Sequence, residues 1–249
     1  MKKNVIITGG TSGIGEALVN LFASAGDRVF SLGLENGFDI TDENAVKLKV
    51  DEIGRECGKI DILINCAGYG LSGATELIPL QDIKKLFEVN FFGLVNMTNC
   101  VLKYMSAGSK ILNVASAMAL LPIPFRAFYG AVKASVANYS LSLRMELLPS
   151  CIYVSVVHPG NVATNFTKNR VKHLVTNEKY GDKVQNAQTK NDGRKRMSKE
   201  YVAKKIYNFI NVKRPKAEIV IGGKYKFMWW MSRRISRDAY CKMASKVAG

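Results

Sequence analysis

The segment Thr8-Gly9-Gly10-Thr11-Ser12-Gly13-Ile14-Gly15 constrains this chain more than any other stretch. It follows a short β-rich run, Asn4-Val5-Ile6-Ile7. It precedes a segment with apolar residues at helical spacing: Ala17, Leu18, Leu21, Phe22 and Ala25. Gly26 then ends that segment, as a glycine past a helix C-terminus does. Glycines between a strand and a helix permit a tight turn and let a pyrophosphate approach the backbone. The helix N-terminus adds N–H donors and the positive end of a dipole. A glycine-rich turn alone is a weak signal, and the strand–turn–helix setting is what gives it weight.

The alternation continues. Further β-rich runs are Val29–Leu32, Asp61–Asn65, Lys110–Val114, Ile152–Val157 and Glu218–Gly223, and helical patterns occupy 41–57, 81–105 and 129–148. Strands alternating with helices predict an α/β fold: one doubly wound parallel sheet covered on both faces. A length of 249 residues with 47% hydrophobic side chains suits one such domain with a large core. The stretch 165–199 differs: it is polar, basic and nearly free of apolar periodicity, and it reads as a long functional or mobile connection.

Tyr129-Gly130-Ala131-Val132-Lys133 carries the sharpest chemical signal. Residues four apart on a helix share a face. An ammonium beside a phenol stabilises phenolate and lowers its pKa from about 10, making a usable general acid or base. Taken alone, such a pair is more often an ordinary surface contact. Three features change that balance. Ser116 lies 13 residues before Tyr129, just after the Lys110–Val114 run; Asn65-Cys66-Ala67-Gly68 closes one β-run; and Pro159-Gly160-Asn161-Val162-Ala163-Thr164 follows another. All three fall at carboxyl ends of strands, where a doubly wound sheet binds ligands.

Together these residues resemble the short-chain dehydrogenase/reductase family. Thr8, Gly9, Gly13 and Gly15 match its TGxxxGxG turn; Asn65-Cys66-Ala67-Gly68 its NNAG segment; Asn90 its helix asparagine; Ser116, Tyr129 and Lys133 its serine and YxxxK signature; Pro159, Gly160, Val162 and Thr164 its PGxVxT segment. The resemblance spans about residues 3–165. It implies a single Rossmann domain in which 1–165 form the cofactor and catalytic core, 166–200 a basic substrate lid, and 201–249 a C-terminal helix, strand and basic tail on the substrate side. It also implies an NAD(P)-dependent oxidoreductase interconverting an alcohol and a ketone or aldehyde.

By the same resemblance Tyr129 exchanges the proton, Ser116 holds the substrate oxygen, Lys133 binds the ribose hydroxyls, and Asn90 positions a water that links Lys133 to solvent. Val162 and Thr164 hold the carboxamide, and Asp39-Ile40 flank the adenine. Thr8, Gly9, Thr11, Ser12, Gly13, Ile14 and Gly15 cradle the pyrophosphate, with Asn65, Ala67, Gly68, Pro159 and Gly160 completing the cofactor wall. Two departures stand out. Cys66 replaces an amide at a position read mainly through backbone. The connection Leu34–Asp39 is too short for the helix usual after the second strand, and Ser31-Leu32-Gly33-Leu34-Glu35 offers neither the acid usual for NAD nor the arginine usual for NADP. With Glu35 the nearest charge, NAD is slightly preferred. The apolar segment Met118–Phe125 favours an apolar, lipid- or steroid-like substrate. Family members usually pair as dimers or tetramers through two long helices, here near 81–105 and 129–148.

Charge raises a second reading. The net charge is +16; residues 1–160 hold 14 basic and 14 acidic side chains, and residues 161–249 hold 22 and 6. Such asymmetry suits an anionic partner for the last third, or a solvated basic face. A non-catalytic nucleotide- or nucleic-acid-binding protein on the same fold is therefore the alternative, although no stacked-aromatic RNA signature is visible. Within the tail, Phe227, Met231, Ile235, Ala239 and Met243 recur every four residues beside Trp229, Trp230 and five cations, the composition of an interfacial helix. Contact with an anionic membrane, closure over substrate and subunit contact all fit that pattern. Five cysteines without a C-x-x-C pair read as reduced thiols. No apolar run nears the ~18 residues of a membrane span, and no signal peptide is evident, so a cytoplasmic location is expected. His158 reads as a packing residue more than a substrate contact, His173 as solvated, and no metal site is expected.

Overall fold

The computed structural model describes residues 2–167, 169–192 and 196–246. Its strands are β1 (Asn4–Thr8), β2 (Arg28–Leu32), β3 (Ile62–Asn65), β4 (Leu71–Ser72), β5 (Lys110–Val114), β6 (Tyr153–Pro159), β7 (Val162–Ala163), β8 (Val171–Lys172), β9 (Met197–Ser198) and β10 (Glu218–Ile221). Its helices are α1 (Gly13–Ser24), α2 (Glu43–Cys57), α3 (Leu80–Phe87), α4 (Gly93–Leu102), α5 (Ala127–Leu147), α6 (Lys183–Asp192), α7 (Lys199–Ile210), α8 (Gly223–Ser232) and α9 (Arg237–Ser245). A π-helical turn, Glu88–Phe92, joins α3 to α4.

Six strands form one sheet in the order β10-β6-β5-β3-β1-β2, and every pair is parallel. The chain steps from β1 outward to β2, then returns to the other side of β1 as β3. That reversal opens a crevice at the carboxyl ends of β1 and β3, where such sheets bind ligands. β3, β5 and β6 are buried along their whole length, as central strands covered on both faces must be. One face packs under α1 and α7, with Leu18, Phe22, Val202 and Ile206 fully buried. The other packs under α2, α4 and α5, with Val46, Val50, Met97 and Val101 fully buried.

A polar ladder crosses this apolar core. Asn65 Nδ2 donates to Thr98 Oγ1 (3.1 Å) and Asn113 Oδ1 (2.9 Å), and Asn113 Nδ2 donates to Ser140 Oγ (2.9 Å). The hydroxyls of Thr98 and Ser140 donate in turn to carbonyls one helical turn back, on Leu94 and Val136. Buried polar groups are costly unless bonded, so this ladder fixes β3 and β5 in register with α4 and with α5, which carries Tyr129 and Lys133.

Three expectations from sequence need correction. The patterned stretch 81–105 is two helices split by the π-turn, which places Asn90. The basic connection is not irregular throughout: it contains α6, held by the buried pair Val184 and Ala187. The tail is not one striped helix. It breaks between α8 and α9, where the Ser236 hydroxyl caps α9 by accepting from Ala239 N (3.2 Å).

Candidate active site

The turn after β1 is fitted against the end of β3. The Thr8 hydroxyl accepts from the backbone N–H groups of Cys66 (3.1 Å) and Ala67 (3.2 Å). Gly9 has φ +64°, and a Cβ there would lie 2.9 Å from the Ala67 backbone. A Cβ on Gly15 would collide with the Gly9 carbonyl. Gly9 requires glycine for its left-handed φ and close approach, and Gly15 for close approach alone. The result is an open α1 N-terminus bordered by Thr11, Ser12, Gly13 and Ile14, the arrangement that receives a pyrophosphate.

These residues border a cleft of about 1950 Å³. That exceeds the roughly 300–1,000 Å³ of a single small-ligand pocket and leaves room for a dinucleotide and a substrate. Asp39 and Ile40 lie along it beyond β2, with Ala67 and Gly68 at the end of β3, and Pro159, Gly160, Val162 and Thr164 past β6. The Asp39 carboxylate is turned back on its own loop, accepting from Thr41 N (2.9 Å) and Oγ1 (2.8 Å). Gly15 and Asn65 stand behind the wall and act through packing and the polar ladder.

Ser116, Tyr129 and Lys133 converge on the same cleft and are nearly buried. The Ser116 hydroxyl accepts from Met118 N (3.2 Å) and sits close enough to the Tyr129 phenol to lower its pKa. Contrary to the lowering expected from the Tyr129–Lys133 spacing, burial pushes the phenol pKa up to about 12; the groups that oppose it are Ser116 and the Arg170 charge, not Lys133. Lys133 Nζ donates to the Val114 carbonyl (3.1 Å), and burial brings its pKa down to about 8. Asn90 is buried behind Gly68; its Nδ2 donates to the Leu86 carbonyl (3.1 Å). Its Oδ1 lies against Gly68 and has no hydrogen-bond partner. The Cys66 thiol is driven up to about 11 by burial and stays neutral near pH 7.

Three residues have places that spacing did not reveal. His158 is fully buried and does not line the cleft. Its Nδ1 lies 3.2 Å from the Ser116 carbonyl, where a protonated Nδ1 donates, so it braces the serine from behind. Its Nε2 lies 3.3 Å from the Glu218 carboxylate, but burial outweighs that charge and lowers the His158 pKa. His173 is not free in solvent; its ring sits 2.9 Å from the Asp82 carboxylate. Tyr225, on α8, places its ring where a side chain on Gly160 would be. The sequence signal for Tyr225 was Gly160 itself, since a glycine there implies that something approaches closely.

A sequence model of the short chain dehydrogenase family matches residues 3–174. The chain is a short-chain dehydrogenase. This short-chain dehydrogenase is 35% identical over 192 residues to a 3-ketodihydrosphingosine reductase of Bacteroides thetaiotaomicron, covering 72% of this chain and 71% of that one. It is 30% identical over 242 residues to a probable short-chain dehydrogenase/reductase, VdlC, of Helicobacter pylori, covering 90% and 89%. A solved short-chain dehydrogenase of Streptomyces avermitilis superposes with a TM-score of 0.84 at 24% identity, over 94% of this chain and 92% of that one. Membership makes the chain an NAD(P)-dependent oxidoreductase and removes the non-catalytic alternative. Among the described residues no helix is long and apolar enough to cross a membrane.

The buried Lys133 ammonium has a consequence for stability. Below pH 8 the lysine is charged in both folded and unfolded chains. Between about 8 and its ordinary 10.5 the folded chain sheds the proton first, so rising pH stabilises the fold. At pH 7 the charge is therefore a cost. Lys133→Met is expected to raise Tm at pH 7 by a few degrees, with the gain shrinking toward pH 10.5. Calorimetry checks it, and a lower Tm at pH 7 would contradict the buried-charge account.

Proposed function

We propose that this short-chain dehydrogenase interconverts an apolar, lipid-like secondary alcohol and its ketone, with Tyr129 exchanging the proton. The observation that carries the proposal is the Tyr129 phenol, set beside Ser116 at the wall of a largely apolar cleft. Met118, Leu121, Ile123, Phe166 and Met228 supply that apolar wall. The name of the Bacteroides relative, a 3-ketodihydrosphingosine reductase, agrees with such a substrate.

The residues fit a nicotinamide dinucleotide. The glycine cradle and open α1 N-terminus suit its pyrophosphate, and Val162 and Thr164 suit its carboxamide. When bound, the cofactor supplies or accepts the hydride. The protein supplies position and proton. Ser116 orients the substrate oxygen toward the phenol, and His158 keeps Ser116 in place. The phenol, neutral at working pH because it is buried, donates to the oxygen during reduction. Lys133, while charged, stabilises the phenolate left behind. The unpartnered Oδ1 of Asn90 holds a water through which the proton is replaced. The described part of segment 166–200, whose Phe166, Arg170 and Val171 border the cleft, covers the substrate as a lid; residues 168 and 193–195 lie outside the described residues.

Oligomerisation through the α4–α5 side is part of the proposal. Phe92, Leu141 and Met145 are exposed apolar side chains on that surface, suited to a second copy.

Tyr129→Phe keeps the ring packed and removes only the proton. Turnover of a ketone is expected to fall by about 10²–10⁴-fold, with NADH affinity unchanged by fluorescence titration. Near-normal turnover would refute the mechanism.

NAD(H) is the expected cofactor. The 2′-phosphate of NADP usually needs a facing cation, and residues 31–42 contain neither lysine nor arginine. The nearby candidates are held elsewhere: Lys3 Nζ donates to Asn211 (2.7 Å), and Arg28 pairs with Glu56. Both lie at the amino ends of their strands, opposite the cleft. A kcat/KM ratio favouring NADPH by about tenfold would overturn the assignment.

A further inference from the structure

Helix α8 has two working sides. Inward, Tyr225 packs on Gly160, and Tyr225 and Met228 border the cleft. Outward, Phe227 is 59% exposed and Trp230 is 50% exposed, with their rings stacked at 6.1 Å. Two guanidiniums lie over the indoles: Arg233 at 5.5 Å from Trp229, and Arg234 at 3.7 Å from Trp230. Helix α9 adds exposed Met243, Arg237 and Lys242. Its Tyr240 hydroxyl donates to the Pro122 carbonyl (3.0 Å), tying α9 to the apolar loop between Ser116 and Tyr129. Helix α8 thus borders the cleft, α9 is anchored next to it through Pro122, and the two expose aromatic rings and cations on the outer side.

The charge here is one-sided. Residues 224–246 carry seven basic side chains and a single acid, Asp238. A water-facing helix has no need of a half-exposed tryptophan stacked on a phenylalanine, and a protein partner for a plain apolar face would not need seven cations. Exposed aromatics ringed by arginine and lysine suit the interface of an anionic bilayer, where indole sits at the headgroups and cations meet lipid phosphate.

We propose that α8 and α9 are the foot by which the enzyme seats reversibly on an anionic membrane, so that an apolar substrate enters the cleft from the lipid past Tyr225 and Met228. This rests on the proposed apolar substrate, but docking is read independently of turnover. Neither helix is long enough to span the bilayer, so attachment is peripheral.

The test is co-sedimentation of the whole enzyme with vesicles of phosphatidylcholine, with and without phosphatidylserine. Binding is expected only with phosphatidylserine and should weaken about tenfold or more between low and high salt, as screening requires. The double variant Phe227→Ser/Trp230→Ser is expected to lose binding. It should retain full turnover of a short water-soluble ketone, its oligomer size by sedimentation velocity, and its Tm. A wild-type enzyme that stays in the supernatant with phosphatidylserine vesicles at low salt overturns the foot. So does equal binding to pure phosphatidylcholine. A double variant whose oligomer size changes instead assigns the face to a second subunit. Vesicle binding without reduction of any ketone leaves the foot standing and removes the substrate reading. Turnover of long-chain ketones in detergent without vesicle binding does the reverse.

Discussion

The site depends on how closely the first turn approaches the end of β3. One threonine hydroxyl, on Thr8, accepts from two successive backbone N–H groups of the Cys66–Ala67 segment. Glycine at 9 removes the Cβ that would hold the two loops apart, and glycine at 15 removes one that would strike the turn's own Gly9 carbonyl. With that seam closed, the α1 N-terminus faces the cleft, and Gly68 brings Asn90 close to Lys133. Ser116, Tyr129 and Lys133, the proposed catalytic groups, then reach the cleft from β5 and α5, whose register the Asn65–Asn113–Ser140 ladder holds.

Burial does the chemical tuning. It drives Tyr129 and Lys133 in opposite directions, toward a protonated phenol and a lysine that gives up its charge near pH 8. In the proposed reduction, the first keeps a proton ready to donate. The second makes the stabilising charge easily lost, and a buried ammonium is a cost to the fold that function retains. His158 adds a neutral brace behind Ser116, set by burial more than by its carboxylate neighbour.

Much of this was legible in sequence because the elements are local. The Thr8–Gly15 turn, the Tyr129–Lys133 pair and the strand ends at Asn65 and Pro159 each declare themselves within a few residues. What was not legible depends on contacts between distant segments. Among its described side chains helix α6 buries Val184 and Ala187, too few for a periodic signal. The four-residue stripe in the tail suggested one helix, whereas the Ser236 hydroxyl caps α9 and marks the break. His158 needs Glu218, sixty residues on, to be brought beside it by the pairing of β6 with β10.

The most direct test of the central claim is the pH dependence of kcat/KM for ketone reduction. The account assigns the proton to a phenol that stays protonated to about pH 12 and the supporting charge to a lysine that titrates near 8. Reduction should therefore be flat on the acid side and fall as pH rises through about 8, when Lys133 loses its charge. A profile that falls on the acid side near 6.5, the ordinary histidine range, or one that stays level past pH 10, would place the proton and its stabilising charge on other groups.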